Sequence, residues 1–224
     1  MNMEDDIYIG EDGLEYCSNC HTARQHAFPN AIMGADFKVH IMCKCQRVRY
    51  EEEQAERKER EFQAFVSGNR SICFHESRMR EWTFENDDGK NPMMDKARAF
   101  ITNWDEVKHK RAGLILFGGV GSGKTYMAAA IANALLDKGL RVLMKDFAEI
   151  SNISIFDAEE YVKSMSDYDL LILDDLGAER KSDFAMQNVF NVVNRRWESG
   201  KPLIVTTNLS LTEMKQLRAR DDIQ

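Results

Sequence analysis

The sequence lacks a long apolar run, an excess of basic residues and a low-complexity linker. No apolar stretch approaches the ~20 residues that a membrane-spanning helix needs. The net charge of −7 argues against a wholly basic nucleic-acid-binding protein. The chain has only three prolines, and its acidic first residues have no basic-then-apolar order of a signal peptide. We therefore expect a folded cytoplasmic protein with no membrane partner.

Cysteines are concentrated near the start of the chain, where residues 1–46 contain one C-x₂-C pair and one C-x-C pair. In a reducing compartment, such cysteines are free thiols or metal ligands rather than disulfides. Four thiolates suit tetrahedral Zn²⁺, and a small segment gains folding energy from a metal. The predicted zinc ligands are Cys17, Cys20, Cys43 and Cys45. His21 and His40 are near enough in sequence to replace one ligand, unliganded thiols are the alternative, and Cys73 is read as a core or surface thiol.

A mixed-charge segment follows, from residue 46 to about residue 66. Its apolar residues recur at helical spacing, as shown by Val48, Ala55, Phe62, Phe65 and Val66. The pattern predicts a charged helix. Two interpretations remain open: a solvated helix with one docked stripe, and a partner-binding helix.

Apolar runs and helical patterns alternate through the rest of the sequence. The runs occupy residues 113–119, 141–144, 169–175 and 202–208. Helical patterns follow the first run and recur near residues 157–165 and 183–198. Strands that are almost wholly apolar and alternate with helices indicate a parallel sheet with helices on both faces. The predicted fold class is α/β.

The first run leads into GGVGSGKT, which matches the phosphate-loop pattern G-x-x-x-x-G-K-[ST]. Glycines allow positive φ, so that main-chain N–H groups can surround phosphate oxygens. Lys124 is expected to contact the β- and γ-phosphates of ATP, and Thr125 to bind Mg²⁺. The predicted nucleotide-binding residues are Gly118, Gly119, Val120, Gly121, Ser122, Gly123, Lys124, Thr125 and Tyr126.

Two later apolar runs end in polar side chains. Asp174 is predicted to hold Mg²⁺ through water, and Asp175 to orient or deprotonate the attacking water. Asn208, after the last run, is predicted to orient that water. The alternatives are an acid-capped strand end and an ordinary polar turn. The predicted catalytic residues are Lys124, Asp174, Asp175 and Asn208, and the predicted magnesium ligands are Thr125 and Asp174.

These motifs together resemble the DnaC/DnaI-type replicative helicase loaders, which are AAA+ ATPases, and more distantly the IstB transposition helpers. The matching pieces, in order, are CKCQ, REWTFENDDGKNP, GLILFGGVGSGKT, LLILDDLGAER and VNRRWESGKPLIVTTN. The resemblance implies a sheet in the order 5-1-4-3-2 and ATP-dependent contact with single-stranded DNA. It also implies an N-terminal zinc module that engages a hexameric, DnaB-type helicase, and self-association on nucleotide or DNA.

The chain departs from the pattern of these families in three respects. Gly119 stands in the phosphate loop where proline is usual, which adds flexibility there. Most AAA+ proteins have glutamate where Asp175 stands. Because aspartate is one methylene shorter, we expect its carboxylate to reach the attacking water poorly and ATP hydrolysis to be slow. The family pattern also continues beyond Gln224 into an arginine-bearing segment and a fifth strand, so the chain is expected to be C-terminally truncated and to hydrolyse ATP weakly. Arg195 and Arg196 match the family's paired arginines. Two interpretations are open: they lie at a solvated helix end, or they contact the nucleotide or a neighbouring subunit.

We expect three parts: a zinc module (1–46), a charged helix and linker (47–80) and the ATPase core (81–224). The preferred function is ATP-dependent loading of a replicative helicase onto DNA. The alternatives are a transposition helper of the same ATPase class and a non-hydrolysing zinc adaptor that binds ATP. A small-molecule P-loop kinase fits less well, because consecutive acids and a TTN strand end suit ATP hydrolysis better.

Overall fold

The computed structural model of the chain describes residues 7–28, 37–152, 158–177, 183–210 and 212–214. The chain divides into two compact units, residues 1–63 and residues 64–224. The division into three parts drawn from the sequence stays a prediction. None of the described helices is long and apolar enough to cross a membrane.

The first unit contains two short antiparallel strand pairs. They are β1 (Ile7–Ile9) with β2 (Glu15–Cys17), and β3 (Gln25–Phe28) with β4 (Phe37–His40). Cys17 and Cys43 are buried, whereas Ile9 and Phe37 are 65% and 59% exposed. A unit with so few buried apolar side chains among its described residues needs a further source of stability, such as a bound metal.

Helix α1 covers Lys44–Cys73 and is therefore longer than the predicted helix at 46–66. The prediction of a docked stripe is wrong over the first part of this helix, because Val48, Ala55 and Phe62 are exposed. Its buried residues lie at the C-terminal end and are spaced three and four apart: Val66, Asn69 and Cys73. Burial of this short face explains why the helix continues past residue 66, since packing rather than intrinsic propensity supplies most helix stability.

The second unit alternates strands and helices, as predicted. Its elements are a 3₁₀ helix (Ser77–Glu81), α2 (Met94–Thr102), α3 (Trp104–His109), β5 (Leu114–Phe117), α4 (Lys124–Asp137), β6 (Val142–Asp146), α5 (Phe147–Ser151), α6 (Ala158–Met165), β7 (Leu170–Leu176), α7 (Asp183–Ser199) and β8 (Leu203–Thr207). Four strands form a parallel sheet in the order β5-β8-β7-β6. This is the 1-4-3-2 part of the predicted order 5-1-4-3-2. Among the described residues, no fifth strand joins this sheet.

Apolar side chains of the sheet pack on both of its faces, which confirms the predicted α/β architecture. In β7, Leu170 and Ile172 belong to a cluster with residues of α2, α3 and α4. Leu171 and Leu173 belong to a second cluster with residues of α5, α6 and α7. All four side chains are fully buried, and each contributes about 1.5–3 kcal/mol by leaving water. This two-sided burial explains the uninterrupted apolar run in the sequence.

Helix α4 approaches the sheet closely because much of its buried surface consists of alanine. Ala128, Ala129, Ala130 and Ala132 are fully buried, and the helix contacts β6, β7 and β8. Small side chains let a helix backbone lie near a sheet. This packing fixes the first turn of α4 beside the carboxyl ends of the strands.

Arg196 is a buried structural residue in the last turn of α7. Its Nε and Nη2 atoms donate to Pro202 O at 3.0 and 2.7 Å, Nη1 donates to Tyr168 O at 2.8 Å, and Nη2 also donates to Asp169 O at 2.8 Å. Burial lowers the pKa of Arg196 to about 10, so the guanidinium stays charged at neutral pH. The interpretation as a solvated helix end is wrong for Arg196, whereas Arg195 is exposed.

We expect Arg196→Ala to lower the free energy of unfolding by about 3 kcal/mol, because three main-chain carbonyls lose a charged donor. The neighbouring substitution Arg195→Ala is the matched control and should change it by less than about 0.5 kcal/mol. Urea unfolding followed by circular dichroism measures both. Equal destabilisation by the two substitutions would contradict the structural role of Arg196.

Candidate functional site

The carboxyl ends of three parallel strands gather the predicted nucleotide-binding residues at one edge of the sheet. The phosphate loop begins at Gly118, directly after β5, and Asp174 and Asp175 lie near the end of β7. Asn208 follows β8 directly. Since open α/β sheets bind ligands at this edge, segments far apart in sequence can act on one ligand here.

The phosphate loop has the backbone conformation that its glycines permit. Gly121 and Gly123 have φ values of 79° and 81°, in the left-handed region that residues with a side chain rarely adopt. Gly123 is the N-cap of α4, and Lys124 is the first residue of that helix. The first main-chain N–H groups of a helix have no partners within the helix, so this turn can present N–H donors to phosphate oxygens.

Lys124 connects the phosphate loop to the end of β8. Its Nζ atom donates to Gly118 O, Gly119 O and Asn208 Oδ1, each at 2.9 Å. An ammonium group has three hydrogens to donate, so these oxygens, together with a longer contact to Ser122 Oγ at 3.4 Å, use its full capacity. A phosphate that binds Lys124 therefore exchanges with acceptors that already hold the side chain in place.

Asp174 is a buried carboxylate whose partners are hydroxyl groups. Its side chain is only 4% exposed, and its Oδ1 accepts a hydrogen bond of 2.6 Å from Thr206 Oγ1. Burial raises the pKa of Asp174, while hydrogen bonds from Thr206 and Thr125 and the charge of His75 act in the opposite direction. A buried carboxylate next to the Thr125 hydroxyl supplies the oxygen ligands that Mg²⁺ prefers.

Asp175 has an unusual backbone and a side chain that is tied to Asn208. Its φ of 59° lies in the left-handed region, and the pairing of β7 with β8 shifts register between Leu173 and Leu176. Asp175 N donates to Thr206 Oγ1 at 2.9 Å, and Asp175 Oδ1 accepts from Asn208 Nδ2 at 2.9 Å. Aspartate enters the left-handed region more readily than most residues, which gives a backbone reason for aspartate here.

A cavity of about 460 Å³ lies at this edge of the sheet. Its lining includes the four predicted catalytic residues: Lys124, Asp174, Asp175 and Asn208. It also includes residues that the sequence patterns did not assign to the site, among them His75, Arg78, Asp146 and Thr206. Thr206 stands in the TTN motif and could have been found there. No motif marked His75 or Arg78, which lie in the connecting segment after α1.

A second cleft, of about 700 Å³, borders the other side of the phosphate loop. It is lined in part by residues 86–88 and by Asn91, whose Nδ2 donates to Ser122 O at 3.4 Å. Tyr126 lines both cavities, and its hydroxyl donates to Thr83 O at 2.8 Å. This cleft has room for the base and ribose of a nucleotide whose phosphates lie in the loop. The sequence reasoning had not assigned residues 86–91 to the site.

The structure brings the four predicted zinc ligands together in the first unit. The ligand atoms of Cys17, Cys20, Cys43 and Cys45 all lie within 4.8 Å of one another. The Sγ atom of Cys45 is 3.5 Å from those of both Cys17 and Cys43. Zn–S bonds of about 2.3 Å in a tetrahedron place sulfurs about 3.8 Å apart, so the group fits zinc. Neither His21 nor His40 belongs to this group.

The thiols of the cluster differ in acidity because they hydrogen-bond differently. A bond to the Thr22 hydroxyl is the main cause that lowers the pKa of Cys20 to about 5. Bonds to Cys20, Cys17 and Cys43 raise the pKa of Cys45 to about 12. Some thiolate is therefore present at neutral pH, and metal binding releases the remaining protons.

We expect the gently purified chain to contain about one zinc ion per molecule. Cys20→Ala should lose most of this metal, because three remaining thiolates cannot complete the tetrahedron. Cys73→Ala, which removes a buried thiol outside the cluster, is the control and should retain the metal. Elemental analysis of the three proteins tests this, and a wild-type zinc content far below one per chain would contradict it.

The family model described as "IstB-like ATP binding protein" matches residues 33–223. This range contains the complete phosphate loop, the acidic pair of β7 and Asn208. It begins between the two cysteine pairs.

The proteins to which the chain is similar include two replicative helicase loaders and one solved structure. The Replicative helicase loader DnaC of Escherichia coli strain K12 is 31% identical over 137 residues, which cover 58% of this chain and 55% of that protein. The Replicative helicase loader DnaI of Bacillus subtilis strain 168 is 32% identical over 143 residues, which cover 59% and 46%. The match thus spans about half the length of these relatives. A crystal structure of the DnaC helicase loader superposes with a TM-score of 0.54 at 26% identity, covering 65% of this chain and 87% of that one.

Proposed function

Because the chain belongs to the IstB-like ATP-binding protein family, we propose that it is a Mg²⁺-dependent AAA+ ATPase that loads a DnaB-type replicative helicase onto DNA. The observation that carries the ATPase part is the convergence of Lys124, Asp174, Asp175 and Asn208 on one cavity. The relatives named as helicase loaders support the loading part.

In the proposed ATP complex, the loop and the first turn of α4 hold the phosphates. The main-chain N–H groups of the loop bind phosphate oxygens, and Lys124 contacts the β- and γ-phosphates. The Thr125 hydroxyl and the Asp174 carboxylate would hold Mg²⁺, which neutralises charge on the phosphates. The hydrogen bond from Thr206 to Asp174 orients the carboxylate for this task.

Hydrolysis in this proposal depends on Asp175 and Asn208. Asp175 accepts a proton from the attacking water or orients it, and Asn208 holds the Asp175 carboxylate by a hydrogen bond of 2.9 Å. The same amide binds Lys124 on its other side. When nucleotide binds, Lys124 moves toward the phosphate and its hydrogen bond to Asn208 is lost. The Asn208 amide oxygen is then free to bind water. Unaided turnover is slow in this proposal, because no partner stabilises that rearranged state.

The first unit is the proposed contact with the helicase. It presents exposed apolar side chains, including Phe28, Phe37 and Met42, which are 43%, 59% and 48% exposed. Exposed apolar groups on a small metal-stabilised unit suit protein binding. Single-stranded DNA and further copies of the chain are proposed partners of the ATPase unit.

A transposition helper of the same ATPase class is the second candidate function. The family description, which names an IstB-like protein, favours it. Both candidates use the same nucleotide site, so only the partner distinguishes them. In the third candidate, a zinc adaptor, nucleotide binding stabilises the fold without hydrolysis.

We expect slow ATP hydrolysis by the purified chain and faster hydrolysis, by about tenfold, when single-stranded DNA and a DnaB-type helicase are added. The reason is that partner binding favours the rearranged contacts of Asn208. Phosphate release is measured for wild type and for Lys124→Ala, which should show no turnover under either condition. Lys138→Ala, which removes a lysine from the far end of α4, is the matched control and should keep the stimulation.

Three outcomes separate the candidates. Stimulation by helicase supports loading, whereas stimulation by a transposase and not by helicase supports the transposition helper. Nucleotide binding that depends on Lys124, without turnover under any condition, supports the adaptor.

A further inference from the structure

The geometry points to His75 as a residue that binds the hydrated Mg²⁺–phosphate group of the nucleotide. This inference rests on the proposed ATP site and adds a residue to it. His75 lies between the end of α1 and the 3₁₀ helix, outside the phosphate loop, the acidic pair and the TTN motif. Its ring would bind a water molecule of the hydrated Mg²⁺ ion by a hydrogen bond.

His75 shares a cavity with the triphosphate machinery. The lining of the 460 Å³ cavity includes His75 together with Lys124, Thr125 and Asp174. A histidine that lines the same cavity as Thr125 and Asp174 is near the cation that these two residues would hold.

The segment that bears His75 is fixed to the ATPase core. Cys73 and Phe74, directly before it, are buried. Beyond it, the buried Asn133 of α4 donates through Nδ2 to Met79 O and Trp82 O, each at 2.9 Å. A binding group needs its supporting contacts in place before the ligand arrives, and this segment provides them on both sides of His75.

One nitrogen of His75 has no partner within the described structure. His75 Nδ1 is buried, and no described group forms a hydrogen bond with it. Buried polar atoms are almost always hydrogen-bonded, so an exception calls for a functional or structural reason. Because Nδ1 is shielded from the cavity, a ligand there would reach the ring through its other nitrogen, Nε2.

Arg78 is a weaker candidate for the same role, although it lines the same cavity. Its guanidinium forms an ion pair with Glu76 and lies 5.4 Å from the ring centroid of Trp82. These contacts already use the charge and the flat face of Arg78. By contrast, Nδ1 of His75 has no hydrogen-bond partner among the described residues.

The test measures how nucleotide binding depends on Mg²⁺. A fluorescent ATP analogue is titrated into the full chain at increasing Mg²⁺ concentration and, separately, in EDTA. The proteins are wild type, His75→Ala, His75→Gln and His109→Ala. His109 is exposed at the end of α3 and serves as the matched control, while glutamine keeps a neutral hydrogen-bonding group at position 75. Thermal melting reports whether each variant folds.

We expect His75→Ala to raise the Mg²⁺ concentration needed for half-maximal nucleotide binding about tenfold, since one hydrogen bond to a charged group is lost. His75→Gln should recover part of this loss, His109→Ala should match wild type, and binding in EDTA should be equal in all four proteins. If His75→Ala does not fold, His75→Gln is the test of the inference. We expect it to raise the Mg²⁺ concentration needed for half-maximal nucleotide binding about threefold.

Unchanged Mg²⁺ dependence in the folded His75 variants, with normal wild-type binding, would overturn the inference alone. An equal loss of affinity with and without Mg²⁺ would also overturn it, because that result indicates a purely structural residue. Absence of nucleotide binding by wild type would instead reject the proposed ATP site, and the role of His75 with it.

Discussion

The amide of Asn208 is the contact on which the arrangement of the site depends. Its Oδ1 accepts from Lys124 at the start of α4, and its Nδ2 donates to Asp175 in β7. Through these two bonds, a single side chain directly after β8 links the start of α4 to β7. Lys124 is the group that a phosphate would engage and Asp175 the group that would act on water. Because Asn208 contacts both residues, phosphate binding at Lys124 can change the position of the Asp175 carboxylate.

The sheet makes this contact possible. Parallel pairing of β5, β8 and β7 brings their carboxyl ends to one edge, and burial of leucines on both faces of β7 fixes that strand in the core. Thr206 then joins the two acids of β7, because its hydroxyl donates to Asp174 and accepts from the amide of Asp175. The left-handed backbone at Asp175 turns the strand out of regular pairing at the point where its side chain meets Asn208.

Much of the fold and of the site could be predicted because local sequence patterns specify them. Uninterrupted apolar runs indicated buried parallel strands, and the glycines before Lys124 indicated a turn with positive φ. The full length of α1 was not predictable from its charge pattern, since burial of Val66, Asn69 and Cys73 in the tertiary structure stabilises its last turns. The burial of Arg196 was missed for a related reason: its acceptors, such as Tyr168 O and Pro202 O, become neighbours only through tertiary structure. His75 was missed for the same reason, because only the tertiary structure brings it next to the phosphate loop and Asp174.

The affinity of the full chain for Mg²⁺-ATP, in wild type and in Lys124→Ala, is the most direct test of the central claim. The claim is that the loop, the acidic pair and Asn208 form a nucleotide site in which Lys124 is the main positive contact to phosphate. It predicts that Lys124→Ala binds Mg²⁺-ATP at least about a hundredfold more weakly than wild type. The thermal melting curve of the metal-bound first unit should be the same in the two proteins. Equal affinity of the two proteins would contradict the claim and would mean that the nucleotide, if bound, lies elsewhere.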